Sequence, residues 1–258
     1  MQHGLDTYAG LRSPIHRWDP RCKFVGLMTL IFAFSAIDVL VLLPVMLLLT
    51  GILYKVSQLP GSYLRQRLHY PGYFLLGAIV VLPLTTGETV LLELGWLSIR
   101  WEGVLAAVPI VVRFVCIVTV TLVLFGTGPL AGTLRAMRSL GIPGLITDMM
   151  LLFYRYLYDL LDRLRQVQTA MRLRGFNPKQ LSWRTLRVLA ALTGTLLVTS
   201  YEQSEQVYQA MRLRGYGQPT AQRTWPPIQR ADAMAVMAMV AIAAALVLAQ
   251  IWLTSATP

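Results

Sequence analysis

At 258 residues the chain could form one large domain or two small soluble ones. Its composition excludes the soluble option: 55% of residues are hydrophobic and only 14% charged, against roughly 25% charged in an ordinary soluble domain. Lys and Arg number 23 against 12 acids, a net charge of +11, and mean hydropathy is +0.56. This balance predicts an all-α integral membrane protein whose basic excess marks cytoplasmic loops and anionic lipid or protein partners, with no nucleic acid. Cys22 and Cys116 are too few and too apolar in setting for a disulfide framework or a CxxC site.

Residues 1–23 carry Arg12, Arg17, Arg21 and Lys23 but no apolar run, so no signal peptide is expected there. Asp19-Pro20 reads as an N-cap followed by proline at the first helical position. The apolar run from Phe24 to Tyr54 is too long for one crossing of a core about 30 Å thick. It is read as two short helices turning near Ser35–Asp38. A third span is expected over Tyr73–Leu84, extending toward Leu92. A fourth covers Gly103–Phe125 and a fifth Ala231–Leu253. The expectation is therefore about five transmembrane helices plus long cytoplasmic coupling helices. The parts are 1–128 (four spans), 129–230 (a cytoplasmic or interfacial region) and 231–258 (the last span).

With the N-terminus inside, segments 1–23, 55–72 and 129–230 hold 4, 3 and 14 basic residues, 21 of the 23 in total. Arg100 falls outside, with Asp38, Glu88, Glu93 and Glu102, and Arg113 lies within the fourth span. That asymmetry is what the positive-inside rule requires. Within 129–230, an apolar stripe (Leu145, Met149, Leu152, Tyr156, Leu160, Leu164, Val167, Met171) predicts one face of a long helix. Val188–Val198 is read as an interfacial or partly buried helix.

A repeat carries the functional reading. Ala170-Met171-Arg172-Leu173-Arg174-Gly175-Phe176 recurs forty residues later as Ala210-Met211-Arg212-Leu213-Arg214-Gly215-Tyr216. Each copy reads as a helix ending in glycine with two arginines in its last turn, where the helix dipole favours cations. One copy alone would be a well-capped surface helix. Two suggest a docking device for a partner with two equivalent sites, and the guanidinium fork suits carboxylates. The candidate partner-binding residues are Ala170, Arg172, Arg174, Gly175, Ala210, Arg212, Arg214 and Gly215.

On these residues the chain resembles the transmembrane T component of energy-coupling factor (ECF) transporters, most of all the cobalt-type CbiQ family. That family carries two cytoplasmic Ala-Arg-Gly motifs, matched here at Arg174-Gly175 and Arg214-Gly215, with Leu173 and Leu213 in place of the usual alanine. Asp19-Pro20-Arg21 with Lys23, Leu140-Gly141-Ile142-Pro143 and Tyr154-Arg155-Tyr156 also match, and the opening Asp6-Thr7-Tyr8-Ala9 is similar to cobalt-type members. The resemblance implies a non-enzymatic scaffold that docks on an ABC-type ATPase dimer and transmits its closure to a separate substrate-binding membrane subunit. It further implies cobalt ion uptake, a link to cobalamin biosynthesis and a bacterial or archaeal inner membrane. ATP and Mg would be held by the ATPase and no cofactor by this chain, which has no G-x-x-x-x-G-K-[ST] loop.

The remaining signals are weaker. Arg113 could pair with Glu88 or Glu93. Met234, Met237 and Met239 are read as apolar packing rather than a metal path. His3, His16 and His69 have no ligand spacing, and no catalytic set appears. A membrane-embedded transferase would need a carboxylate- or histidine-centred site. A self-sufficient secondary transporter would favour repeated spans, whereas this repeat lies in the 129–230 segment.

Overall fold

The computed structural model describes residues 13–85, 90–94, 97–176, 182–217 and 228–256. Helix α1 (Pro14–Arg17) leads into α2 (Pro20–Ser35), and a 3-10 turn at Leu40–Leu42 opens α3 (Leu43–Ser57). Then follow α4 (Gly61–Thr85), a two-stranded antiparallel hairpin of β1 (Val90–Leu94) and β2 (Leu97–Arg100), and α5 (Trp101–Gly126). The chain continues through α6 (Leu130–Ser139), α7 (Gly144–Leu173), α8 (Trp183–Leu213) and α9 (Arg230–Ala256).

These residues fall into two compact units: one takes in the chain to Thr147 together with α9, the other begins at Asp148. In the first, α2 supplies Leu27, Leu30 and Phe34, α3 Met46, α5 Cys116, Val120, Val123 and Leu124, and α9 Leu246 to one buried core. The close approach of α2 and α9 depends on Gly26, where a Cβ would stand 3.1 Å from the Met239 sulfur. Helix α6 also packs on α2, burying Leu134 and Ala136.

The N-cap expected at Asp19 is present: its Oδ1 accepts from the Arg21 amide at 2.9 Å, with Pro20 at the first helical position. The turn expected near Ser35–Asp38 is also present, because α2 stops at Ser35. Among the described residues three helices are long and apolar enough to cross a membrane: Leu40–Ser57, Leu105–Gly126 and Arg230–Ser255. Their outer faces expose Val41, Leu48, Ile52, Leu248, Ile251 and Trp252, side chains that a bilayer would cover. Helix α2, with 16 residues, rises about 24 Å at 1.5 Å per residue, short of a hydrocarbon core of about 30 Å.

The third expected span differs more. Its helix begins at Gly61, well before Tyr73, and ends at Thr85 instead of running toward Leu92. Val90–Leu94 is a strand, pairing Leu92 with Ile99 and Glu93 with Ser98. Thr85-Thr86-Gly87 is poor helix sequence, and Leu97–Arg100 offers the backbone partner that an isolated strand lacks. The long helix expected over Leu145–Met171 is α7. Val188–Val198 lies inside the unbroken α8, which exposes Leu186, Leu189, Leu197 and Val198.

Candidate docking site at two helix ends

The repeated segments are the C-terminal ends of α7 and α8, and their backbones are superimposable in hydrogen bonding. In the first, the Gly175 amide donates to the Arg172 carbonyl at 3.0 Å and the Phe176 amide to the Met171 carbonyl at 3.0 Å. In the second, Gly215 donates to Arg212 at 3.0 Å and Tyr216 to Met211 at 2.9 Å. Gly175 and Gly215 have φ of 83° and 79°, the left-handed region that glycine enters without a Cβ penalty. This is the Schellman stop, which satisfies the carbonyls left over at a helix end.

Each stop gathers its own set of expected residues. Ala170, Arg172, Arg174 and Gly175 are exposed at the end of α7; Ala210, Arg212 and Arg214 are exposed at the end of α8, with Gly215 half-buried. Arg212 lies over the Tyr208 ring at 5.8 Å. Met171 and Met211 are half-buried, as expected of the residue three back from the cap, whose apolar contact is with the residue after glycine. The leucines between the arginines are almost wholly exposed, Leu173 at 84% and Leu213 at 90%. The second copy makes a bond that the first cannot: Tyr216 donates its hydroxyl to Asp148 Oδ2 at 3.2 Å, where the first copy has Phe176.

A third stop of the same kind ends α6. There the Ile142 amide donates to the Met137 carbonyl at 3.3 Å, Gly141 donates to Arg138 at 3.4 Å, and Gly141 has φ of 99°. Its sequence is Ala136-Met137-Arg138-Ser139-Leu140-Gly141-Ile142. The shared Ala-Met-Arg, the glycine three residues on and the apolar residue after it were legible 34 positions before the first full copy. Sequence comparison missed it because the two positions between arginine and glycine differ.

Two cations, Lys23 buried and Arg113 half-buried, shape the first unit. Lys23 is 3% exposed, and its Nζ donates to the Thr127 carbonyl at 3.0 Å and to Thr127 Oγ1 at 3.1 Å. It precedes the apolar run of α2, and Thr127 follows the Leu105–Gly126 segment. Burial pushes its amine down to about 8. Gly128 allows this approach, since a Cβ there would lie 3.0 Å from the amine. Arg113 pairs with Asp38 and donates to the Ile37 carbonyl at 2.7 Å. The expected partners were Glu88 and Glu93. Glu88 lies outside the described residues and Glu93 is on β1, whereas the turn after α2 brings Asp38 to the arginine.

Among the described residues no group of three or more His, Cys, Asp or Glu side chains comes together. His16 meets Ser13 at 2.7 Å, His69 meets Tyr73 at 3.3 Å, and His3 lies outside the described residues. Met239 packs on the core while Met234 and Met237 are exposed.

Known proteins resemble this chain over most of its length. The sequence model of the CbiQ family, described as cobalt transport protein, matches residues 12–225. The energy-coupling factor transporter transmembrane protein EcfT of Macrococcus caseolyticus is 26% identical over 223 residues, covering 82% of this chain and 84% of its own. EcfT of Lactococcus lactis subsp. cremoris is 29% identical over 217 residues, covering 79% and 80%. EcfT of Listeria innocua is 29% identical over 227 residues, covering 82% and 84%. The family match takes in the first four long helices and both arginine-tipped ends, and with it the chain belongs to the CbiQ family, as a transmembrane T component of the energy-coupling factor kind.

Proposed function

We propose that this chain is the coupling subunit of an ATP-driven importer and that the ends of α7 and α8 dock on two ABC-type ATPase subunits. The observation that carries the reading is the duplication of one helix stop, each copy exposing two arginines and a leucine. A closing ATPase pair would draw on both ends, and α7 and α8 would transmit that motion to a separate substrate-binding membrane subunit. ATP and Mg belong to the ATPases, and this chain contributes neither a phosphate loop nor a catalytic group to hydrolysis. The relatives bear energy-coupling factor transporter names, which favours the same partners here.

The cargo is Co²⁺ on this reading, supported by the description of the family, with cobalamin biosynthesis as its use. The chain sits in a bacterial or archaeal inner membrane with its N-terminus and the 129–230 region cytoplasmic. Support for that orientation is the 21 of 23 basic residues it places inside. Segments 1–128 and 231–258 form the membrane part.

The test is detergent co-purification of the tagged full chain with its ATPases, beside an Arg174→Ala/Arg214→Ala double variant. The expected result is recovery of the ATPases with the unaltered chain and at least a tenfold loss with the double variant, membrane insertion being unchanged. No ATPase recovered with the unaltered chain would end the reading.

A further inference from the structure

The third helix stop separates what ends a helix from what protrudes to meet a partner. All three stops share methionine as carbonyl acceptor, arginine one residue later and glycine in the left-handed region. The α6 stop keeps these residues although its helix packs on α2 and Ala136 is fully buried. Arg138, Arg172 and Arg212 are therefore accounted for by the stop itself, as cations in the last turn. The next position is not. At α6 it is Ser139, whose hydroxyl folds back to the Ala136 carbonyl at 2.6 Å. In the two repeats it is leucine, 84% and 90% exposed.

A leucine standing in water at matching places in two copies contributes nothing to the cap, whose apolar contact belongs to methionine and the residue after glycine. Its side chain gains only when something covers it. Resting on the coupling role proposed above, we infer that Leu173 and Leu213 are the apolar anchors of docking. Each enters an apolar-floored pocket on one ATPase subunit, with carboxylates at the rim facing Arg174 or Arg214. Arg174 and Arg214, whose counterpart in the α6 stop is Leu140, carry the charge complementarity.

The test measures affinity of the full-length chain in detergent for its purified ATPase pair. Leu173→Ser/Leu213→Ser, which copies Ser139, is compared with Leu173→Met/Leu213→Met and Arg172→Gln/Arg212→Gln. We expect the serine pair to bind at least about tenfold more weakly, as for loss of a buried anchor. The methionine pair should stay within about threefold of the unaltered chain, because the volume is kept, and the glutamine pair should lose less than the serine pair. These leucines are exposed, so folding is not at stake, and unchanged circular dichroism checks it. Serine-pair binding equal to the unaltered chain overturns the inference, as does methionine binding as weak as serine. A bilayer occupant is tested by a fluorophore at Leu173→Cys or Leu213→Cys in proteoliposomes without ATPase. Quenching by brominated phospholipid would overturn the inference, and its absence supports it. Failure of the unaltered chain to bind any ATPase is a different result and defeats the coupling role itself.

Discussion

Arg113, inside one of the three helices that, among the described residues, are long and apolar enough to cross a membrane, pairs with Asp38 in the turn between α2 and α3. It also donates to the Ile37 carbonyl at 2.7 Å. From the other side, Gln250 on α9 accepts the amides of Asp38 and Val39 at 3.3 and 3.2 Å. The turn is thus held by α5 and α9 together, and a charge within a span gains a structural reason.

Arg113→Met should lower stability in detergent by about 1–3 kcal/mol, the cost of leaving the bonded carbonyl without its charged donor. Asp38→Asn should cost less, about 0–1 kcal/mol, because the Asp38 side chain is 74% exposed. Thermal midpoints of the two variants check the order. Equal losses would mean that the ion pair, not the carbonyl bond, holds the turn.

Lys23 gives a pH dependence with a definite sign. Burial pushes its amine down to about 8 in the folded protein, from the ordinary lysine value of 10.5. Between those values the unfolded chain holds the proton and the folded chain has released it, so raising pH through this window favours folding. The thermal midpoint of the unaltered protein should rise from pH 7.5 to 9.5 relative to Lys23→Met. A difference independent of pH would contradict the burial of a chargeable amine at Thr127.

Much of the fold was legible because its signals are local. Asp19-Pro20 announces the start of α2, a 3.6-residue apolar stripe announces α7, and Gly175 and Gly215 announce two stops. What escaped was set by tertiary neighbours. The partner of Arg113 depends on how α2 turns back, and Lys23 looks like any basic flank until Thr127 and Gly128 close over it. The hairpin replaced the expected helical extension to Leu92 because a strand is stabilised by its paired partner, and a single segment does not announce that partner.

The glycine stops carry a prediction about local order. Gly175 has open space around its Cβ position and φ of 83°, so the cost of a side chain there is purely conformational. Gly175→Val should cost more than Gly175→Asn, which tolerates the left-handed region. The valine variant should lose on the order of 1–2 kcal/mol of local protection. Hydrogen exchange of the Phe176 amide, bonded to the Met171 carbonyl, reads this directly. Unchanged protection in the valine variant would show that the stop does not depend on glycine.

The coupling account turns on whether the two helix ends move when ATP binds elsewhere. Spin labels at Thr169→Cys and Gln209→Cys, equivalent positions one residue before each repeat, report the distance between the ends in the assembled transporter. Cys22 and Cys116 are buried, which limits background labelling. The account predicts that the distance distribution shifts between nucleotide-free and ATP-bound complexes. It predicts that the shift disappears in the Arg174→Ala/Arg214→Ala variant. An identical distribution with and without ATP, in a complex that hydrolyses ATP and imports its substrate, would contradict the claim that these helices carry the motion.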